Sequence, residues 1–287
     1  MSTIAGKVNQ FARAVFGAAL LCAVSVEVSL AQDNVVDPQD ASGSGEDLAK
    51  QLSNPLAAMI SVPFQLNYND GSGQPLVDGT RQQLLLNVQP VIPFSLTDDW
   101  NLISRTILPV IYQETSSGWN SDSQFGLGNT TQSLWLSPVE PTPNGLIWGV
   151  GPVFYLPTAT DDALGPDTWG AGPTVVGLTQ KGPWTAGFLG NHIWSIDSDD
   201  INSTYLQPFL NYTTPSAWTF GLNTEASYNW TGGGWSVPIN ATLSKLININ
   251  GQPVSLQGGV RYYAVSRSPG PDGWGARASV TFLFPRR

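Results

Sequence analysis

Between Trp218 and Trp230 the sequence W-T-F-G-L-N-T-E-A-S-Y-N-W alternates without a slip. Trp218, Phe220, Leu222, Thr224, Ala226, Tyr228 and Trp230 occupy one face, and Thr219, Gly221, Asn223, Glu225, Ser227 and Asn229 the other. A period of two means an extended strand with one face in an apolar medium and one in a polar medium. The stretch is long for a globular sheet, whose strands run about 5–6 residues. At about 3.3 Å per step it extends roughly 40 Å. A tilt of about 45° reduces that to roughly 28 Å of height, close to the hydrocarbon thickness of a bilayer, about 30 Å. Tryptophan at both extremes suits the two membrane–water interfaces. The pattern predicts one transmembrane β-strand; a long strand of a soluble β-sandwich is the competing reading.

Similar runs recur along the chain. The first covers 58–69, with Ile60, Val62, Phe64, Leu66 and Tyr68 outward and Gln65 and Asn67 inward. The second covers 82–94, with Leu84, Leu86 and Val88 outward and Asn87 and Gln89 inward; the third covers 100–113, with Asn101 and Arg105 inward. Further strands are expected at 125–136, 146–156, 169–180, 184–196, 204–212, 217–230, 235–246, 254–265 and 274–284. The last sets Trp274, Ala276, Ala278, Val280, Phe282 and Phe284 against Arg277, Ser279 and Thr281. Twelve strands put both termini on one side, as bacterial outer-membrane barrels require. The longer acidic connections, at 70–80, 114–124, 157–167 and 266–273, then fall outside. Most of the others are tight, which is the barrel pattern; the turn at 138–144 and the brief outer link at 231–234 depart from it.

The tryptophans sort into two levels. Trp100, Trp135, Trp148, Trp184 and Trp218 fall near the periplasmic strand ends, and Trp169, Trp194, Trp230, Trp235 and Trp274 near the outer ends. These ten are the expected interface belt; Trp119 alone sits in a loop. A sandwich has no reason to place indoles this way. The prediction is therefore an all-β, twelve-stranded antiparallel transmembrane outer-membrane β-barrel over 55–287. Prolines oppose it: Pro63, Pro90, Pro109, Pro152, Pro173, Pro208 and Pro238 fall inside expected strands. Each removes a ladder donor where no free edge excuses it. Bulges are expected near several, at Gly151-Pro152 and Gly172-Pro173 among others.

Composition adds the compartment. Lys7 and Arg13 precede an apolar run at 14–26, and Ser29-Leu30-Ala31 fits a small-x-small cleavage site. That is the pattern of an N-terminal signal peptide over residues 1–31, removed on export to the periplasm. Cys22, the only cysteine, goes with it, so the mature chain has no disulfide and no thiolate metal site. Residues 32–54 read as a mobile acidic leader with a short helix at 46–52, hanging in the periplasm or folded into the lumen. Charged residues are 11%, well below the roughly 25% of soluble domains. Mean hydropathy is near zero, as when lipid-facing and lumen-facing residues cancel. A net charge of −9 argues against nucleic acid as a partner.

Several runs carry a resemblance: LAKQLSNPLAAMISVPFQ (48–65), QPVIPFSLTDDWNLISRTILPVIYQ (89–113), GLGNTTQS (126–133), GPVFYLPTATDD (151–162) and the closing TFLFP (281–285). With their spacing, they resemble a family of Gram-negative outer-membrane transporters of the meta-pathway of phenol degradation type, over nearly all of the mature chain. The resemblance implies a barrel and a role in moving small, including aromatic, molecules. It carries over no catalytic residues. The chain ends Pro285-Arg286-Arg287 rather than in the terminal Phe common among such barrels, so an unusual assembly signal is expected.

Little enzyme chemistry is on offer. His192 is the only histidine, which excludes a multi-histidine metal site. An outer-membrane phospholipase, also a twelve-stranded barrel, places His and Ser two apart on one face. Here the next serine, Ser195, is three positions on and faces the other way. The acidic clusters Asp161-Asp162 and Asp197-Ser198-Asp199-Asp200 lack calcium-loop spacing and read as solvated loop carboxylates. The inward charges Arg105, Glu225, Arg261 and Arg277 are the functional candidates, with Gln65, Asn87, Gln89, Asn223 and Gln257 lining the pore beside them. They either set pore selectivity or pair with one another and fill a narrow lumen. The expectation is an outer-membrane barrel passing small molecules through a polar lumen, with no catalytic residues, metal or cofactor. Its partners are outer-membrane lipid and lipopolysaccharide, the barrel-assembly machinery and an unidentified small solute. A lipid-acting hydrolase and a structural or adhesive barrel are the alternatives.

Overall fold

A computed structural model describes residues 45–71, 79–117, 120–267 and 270–285. The signal segment and its cleavage site, residues 32–44, Trp119 and the two terminal arginines lie outside the described residues. Among the described residues one helix, α1 (Gly45–Leu52), precedes fifteen strands. These are β1 (Met59–Gly71), β2 (Gly79–Val88), β3 (Val91–Ser95), β4 (Trp100–Ser117), β5 (Asn120–Leu127), β6 (Thr130–Pro138), β7 (Leu146–Leu156), β8 (Gly170–Lys181), β9 (Trp184–Ser195), β10 (Asn202–Thr213), β11 (Trp218–Thr224), β12 (Ala226–Asn229), β13 (Trp235–Ile249), β14 (Gln252–Val265) and β15 (Gly273–Pro285). β2 with β3, β5 with β6, and β11 with β12 are single staves interrupted once, which leaves twelve staves. All pairings are antiparallel, and β1 pairs with β15 as well as with β2, so the sheet closes into a barrel. Among the described residues every stave has a neighbour on both sides, which leaves no open edge.

Each interruption has a local cause. Between β2 and β3, Pro90 has no N–H to give the ladder, yet register continues, since Phe64 faces Val88 and Ser61 faces Val91. Between β11 and β12, Glu225 falls level with Pro238 of β13, which has no N–H to give it, and register continues on that side; on the other side of β13, against β14, register shifts between Val237 and Pro238. A bulge near a proline, as expected, is therefore present there. At Gly151-Pro152 and Gly172-Pro173 the expectation fails. Register runs through both without a shift, and Pro152 lies directly opposite Pro173. The neighbouring strand folds over the bare glycine instead: a Cβ on Gly151 would lie 1.9 Å from the Leu134 carbonyl oxygen, and one on Gly172 would lie 1.7 Å from that of His192.

The break between β5 and β6 is a bulge that the sequence does not announce. Against β4, Val110 faces Leu127 while Ile107 faces Thr131, so Gly128-Asn129 adds one residue to its stave. One extra residue swaps the two faces of everything downstream. Phe125 keeps its outward position, 65% exposed, but Trp135 turns inward and is fully buried. Its indole Nε1 donates to Thr174 Oγ1 at 3.1 Å. Trp135 is thus no part of the interface belt, and its place in that set is corrected.

The other nine indoles stand outward. Trp100 packs edge-on to Trp148 with ring centroids 6.1 Å apart, and Lys245 Nζ lies 5.3 Å from the centre of the Trp218 ring, both at the periplasmic rim with Trp184. At the outer rim Trp194 stacks with His192, Trp230 and Trp235 flank Tyr228, and Trp274 packs on Tyr262. Trp169 is exposed beside them. Between the rims, Phe188, Leu206, Leu210, Phe220, Leu222, Leu243 and Val260 are exposed on the outer face. Their partners on the inner face are not a second layer of sheet, so the sandwich reading falls.

Candidate functional site

The lumen is built from the inward half of each alternating strand, and it is occupied at three levels. At the periplasmic end sits α1. Glu46 and Asp47 in its first turn and Lys50 in its last match the helix dipole, and Lys50 Nζ meets Glu46 Oε1 one turn away at 2.6 Å. Its apolar stripe does the anchoring: Leu48 and Ala49 pack with Met59, Ala217, Leu246 and Leu283, and Leu52 and Ala57 cover the edge. Ser53 Oγ donates to the Ala49 carbonyl at 3.2 Å, Asn54 Oδ1 accepts from the Leu56 N–H at 2.9 Å, and Pro55 bars further helix. The turn drives Leu56 into the barrel wall among Ile103, Trp135, Val176, Leu178 and Leu189. The bare face of Gly149 makes room, since a Cβ there would meet Leu56 Cδ2 at 3.1 Å. Gln180 Nε2 adds a bond of 2.9 Å to the Lys50 carbonyl. Full burial of each leucine contributes about 1.5–3 kcal/mol. The short helix of the leader is therefore present, and of the two placements open to it, the described part from Gly45 lies in the lumen against the barrel wall rather than free in the periplasm.

The middle level is a charged layer. Glu225 Oε2 accepts from Arg277 Nη2 at 2.7 Å and from Arg261 Nη2 as well. Arg277 Nε donates to Asn67 Oδ1 and Arg261 Nε to Asn240 Oδ1, both at 2.8 Å. Asn240 Nδ2 continues to Asn223 Oδ1 at 2.8 Å, and Tyr263 OH donates to Asn69 Oδ1 at 3.3 Å. Buried charges are tolerable when paired and fully hydrogen-bonded. The pairing alternative considered for these residues is thus what Arg261, Arg277 and Glu225 adopt. Arg105 stands apart: its Nη2 donates to Gln89 Oε1 at 2.7 Å, a neutral partner.

The outer level is the connection at 157–169, whose role the sequence reading missed. It folds back onto the inner face of the β4–β5 region. Thr160 exchanges hydrogen bonds with Leu127, Gln113 Nε2 donates to the Ala163 carbonyl at 3.2 Å, and Leu164 is buried. Asn129, the bulge residue, ties both ends of this connection, accepting from the Ala159 N–H at 2.8 Å and donating to the Pro166 carbonyl at 2.7 Å. No periodicity marks such a loop; only the polar side chains around the bulge hint at it.

Between the helix and the charged layer lies a cavity of about 240 Å³. The segment from Gln51 to Ala57 forms one end, and Arg105, Glu225 and Arg277 face it from the other. Gln65, Gln89, Asn223 and Gln257 line it, whereas Arg261 and Asn87 lie outside the lining. Asn87 still points inward, beside Gln65 on the neighbouring strand. Among residues that were not singled out, Gln207, Phe209 and Leu189 also contribute to the walls.

The histidine and serine weighed for a hydrolase do not come together. His192 faces outward, with Nδ1 2.7 Å from Thr204 Oγ1, while Ser195 Oγ turns in and bonds the Ile201 carbonyl at 3.0 Å. The acidic clusters serve the loops: Asp161 Oδ1 accepts from the Ala163 N–H of its own loop at 2.8 Å, and Asp197 accepts from Thr168 of the 157–169 connection. Among the described residues no three metal-type side chains converge.

Several solved proteins are similar to the chain, and the first of them shares its fold. An outer membrane channel from Pseudomonas putida F1 is similar over 87% of this chain and 100% of its own, at 17% identity and a TM-score of 0.63. Outer membrane phospholipase A from Escherichia coli matches 78% of this chain and 95% of its own at 11% identity, with a TM-score of 0.48. The CymD monoaromatic hydrocarbon channel matches 86% and 94% at 8% identity, with a TM-score of 0.45. Among curated proteins none matches the chain. The model of the family described as "Putative MetA-pathway of phenol degradation" matches residues 67–285, most of the barrel, and the chain belongs to that family.

Proposed function

We propose that this barrel is a non-enzymatic outer-membrane channel for small solutes, reached after export and removal of residues 1–31, and closed at rest by its own N-terminal segment. The observation that carries the reading is the amide-lined cavity of about 240 Å³ inside a closed barrel, stopped at one end by residues 51–57. A purely structural barrel needs no such space, and a narrow stave ring can fill its interior with side chains. The architecture alone serves many roles, so the reading rests on the lumen and not on the fold. The similar Pseudomonas putida barrel is named an outer membrane channel, and the family description points to phenol breakdown, so single-ring solutes are the ones to try. Lipopolysaccharide around the outer rim and the barrel-assembly machinery complete the expected partners.

The test is planar-bilayer recording and liposome swelling with the full mature chain and with Leu48→Asp/Leu56→Asp. A carboxylate at either position cannot stay paired in its apolar pocket, so the segment should leave the wall. The double variant is expected to conduct and to admit a neutral sugar, with the unmodified chain far less permeable. Silence and exclusion in both proteins would overturn the channel.

A further inference from the structure

From the cavity beneath the charged layer we infer a binding site for a small organic monocarboxylate with an apolar body, anchored by Arg105; the inference rests on the channel reading and names its solute class. Two observations carry it. The first is charge. Among the described residues the cavity faces two guanidinium groups, Arg105 and Arg277, and one carboxylate, Glu225. That carboxylate is committed, because its Oε2 takes bonds from both Arg277 and Arg261. Arg105 donates to an uncharged amide, and among the described residues no carboxylate lies within ion-pair distance of it; Glu225 acts on it only from further off. A guanidinium in a confined space with no direct ion-pair partner of its own is costly, and a planar carboxylate matches its forked donors.

The second observation is the shape of the surroundings. Val91 is the register neighbour of Arg105 on β3, and Leu189 and Phe209 face the same cavity from β9 and β10. These apolar groups belong to the cluster that also holds Leu56 of the N-terminal segment. Amides from Gln65, Gln89 and Gln207 are part of the remaining wall. A cation beside an apolar wall, with neutral donors opposite, suits a molecule with one charged end and one greasy end. A volume of about 240 Å³ limits it to one ring or a short chain. Leu56 links the two ends of the argument, because a guest against Leu189 and Phe209 would share their cluster with the segment that closes the barrel.

The experiment is calorimetric titration of the full mature chain in detergent with benzoate, and with benzyl alcohol as the uncharged body of similar size. Arg105→Gln and Arg105→Lys are compared, each first shown to run as a heat-modifiable folded barrel. Benzoate is expected to bind the unmodified chain at least tenfold more tightly than benzyl alcohol. Arg105→Gln should lose that preference by tenfold or more, and Arg105→Lys should keep part of it. Equal binding of the two probes to the unmodified chain, or benzoate binding unaffected by Arg105→Gln, overturns the site. Neutral-sugar swelling of Leu48→Asp/Leu56→Asp separates the two proposals. If sugar passes but benzoate shows no preference, the anion site alone fails; if benzoate binds through Arg105 but no sugar passes, the channel reading fails and the site stands.

Discussion

A methyl group at Gly172 would sit 1.7 Å from the carbonyl oxygen of His192, inside any tolerable contact. Gly172→Ala is therefore expected to unseat β8 from β9, and boiled and unboiled samples should then run alike in a detergent gel. Glu225 is the other single point on which much depends. Glu225→Gln leaves Arg261 and Arg277 without their counter-charge, and removing one partner of a buried pair typically costs about 3–5 kcal/mol. A lower urea midpoint in detergent would check it. The inward position of these charges could be read from the sequence, because the alternation from Trp218 to Trp230 and along β15 has no break in phase. Trp135 could not, since the residue that reverses its face is hidden in Gly128-Asn129, a pair with no apolar side chain to betray the change. Brominated lipid should quench indoles on the outer face only. Trp218→Phe is expected to reduce the intensity lost to the quencher, and Trp135→Phe to leave that loss unchanged while the quenched fraction rises.

At the scale of elements, strand count, order and most ends follow from period two and the acidic turns. The short helix at 46–52 is legible too, and Leu48 and Leu52, four residues apart, share one of its faces; Leu56 lies beyond it, after Pro55. That spacing does not foretell the partner, because β1, β4, β6, β8, β9, β13 and β15 supply the pocket from distant parts of the chain. Truncating Leu56 to Ala should loosen this contact by about 2–5 kcal/mol, a large-to-small loss at a packed site. Protease sites near Lys50 should then be cut faster while the barrel stays folded. The outer connection gives a matching expectation. Asn129→Ala removes its bonds to Ala159 and Pro166, so residues 157–169 should become the fastest-exchanging outer loop in hydrogen exchange.

For the molecule as a whole, closure of the ring through β1 and β15 makes the barrel a single cooperative object, and every outward residue between the indole rims meets lipid. Of the seven prolines that from sequence alone count against such a ring, four are absorbed by a missing rung at Pro90, a bulge at Pro238, and facing prolines beside bare glycine at β7 and β8, while Pro63, Pro109 and Pro208 keep register with β15, β2 and β9. The stopper of this vessel is on a leash. Only residues 53–58 join the end of α1 to the first stave, a reach of about 20 Å when fully drawn out. A helix so tethered never leaves the mouth it serves, and its local concentration stays on the order of millimolar. Opening should therefore be brief and reversible flicker, indifferent to how much protein is present, and a loose synthetic copy of residues 45–57 should fail to compete until it too reaches millimolar strength.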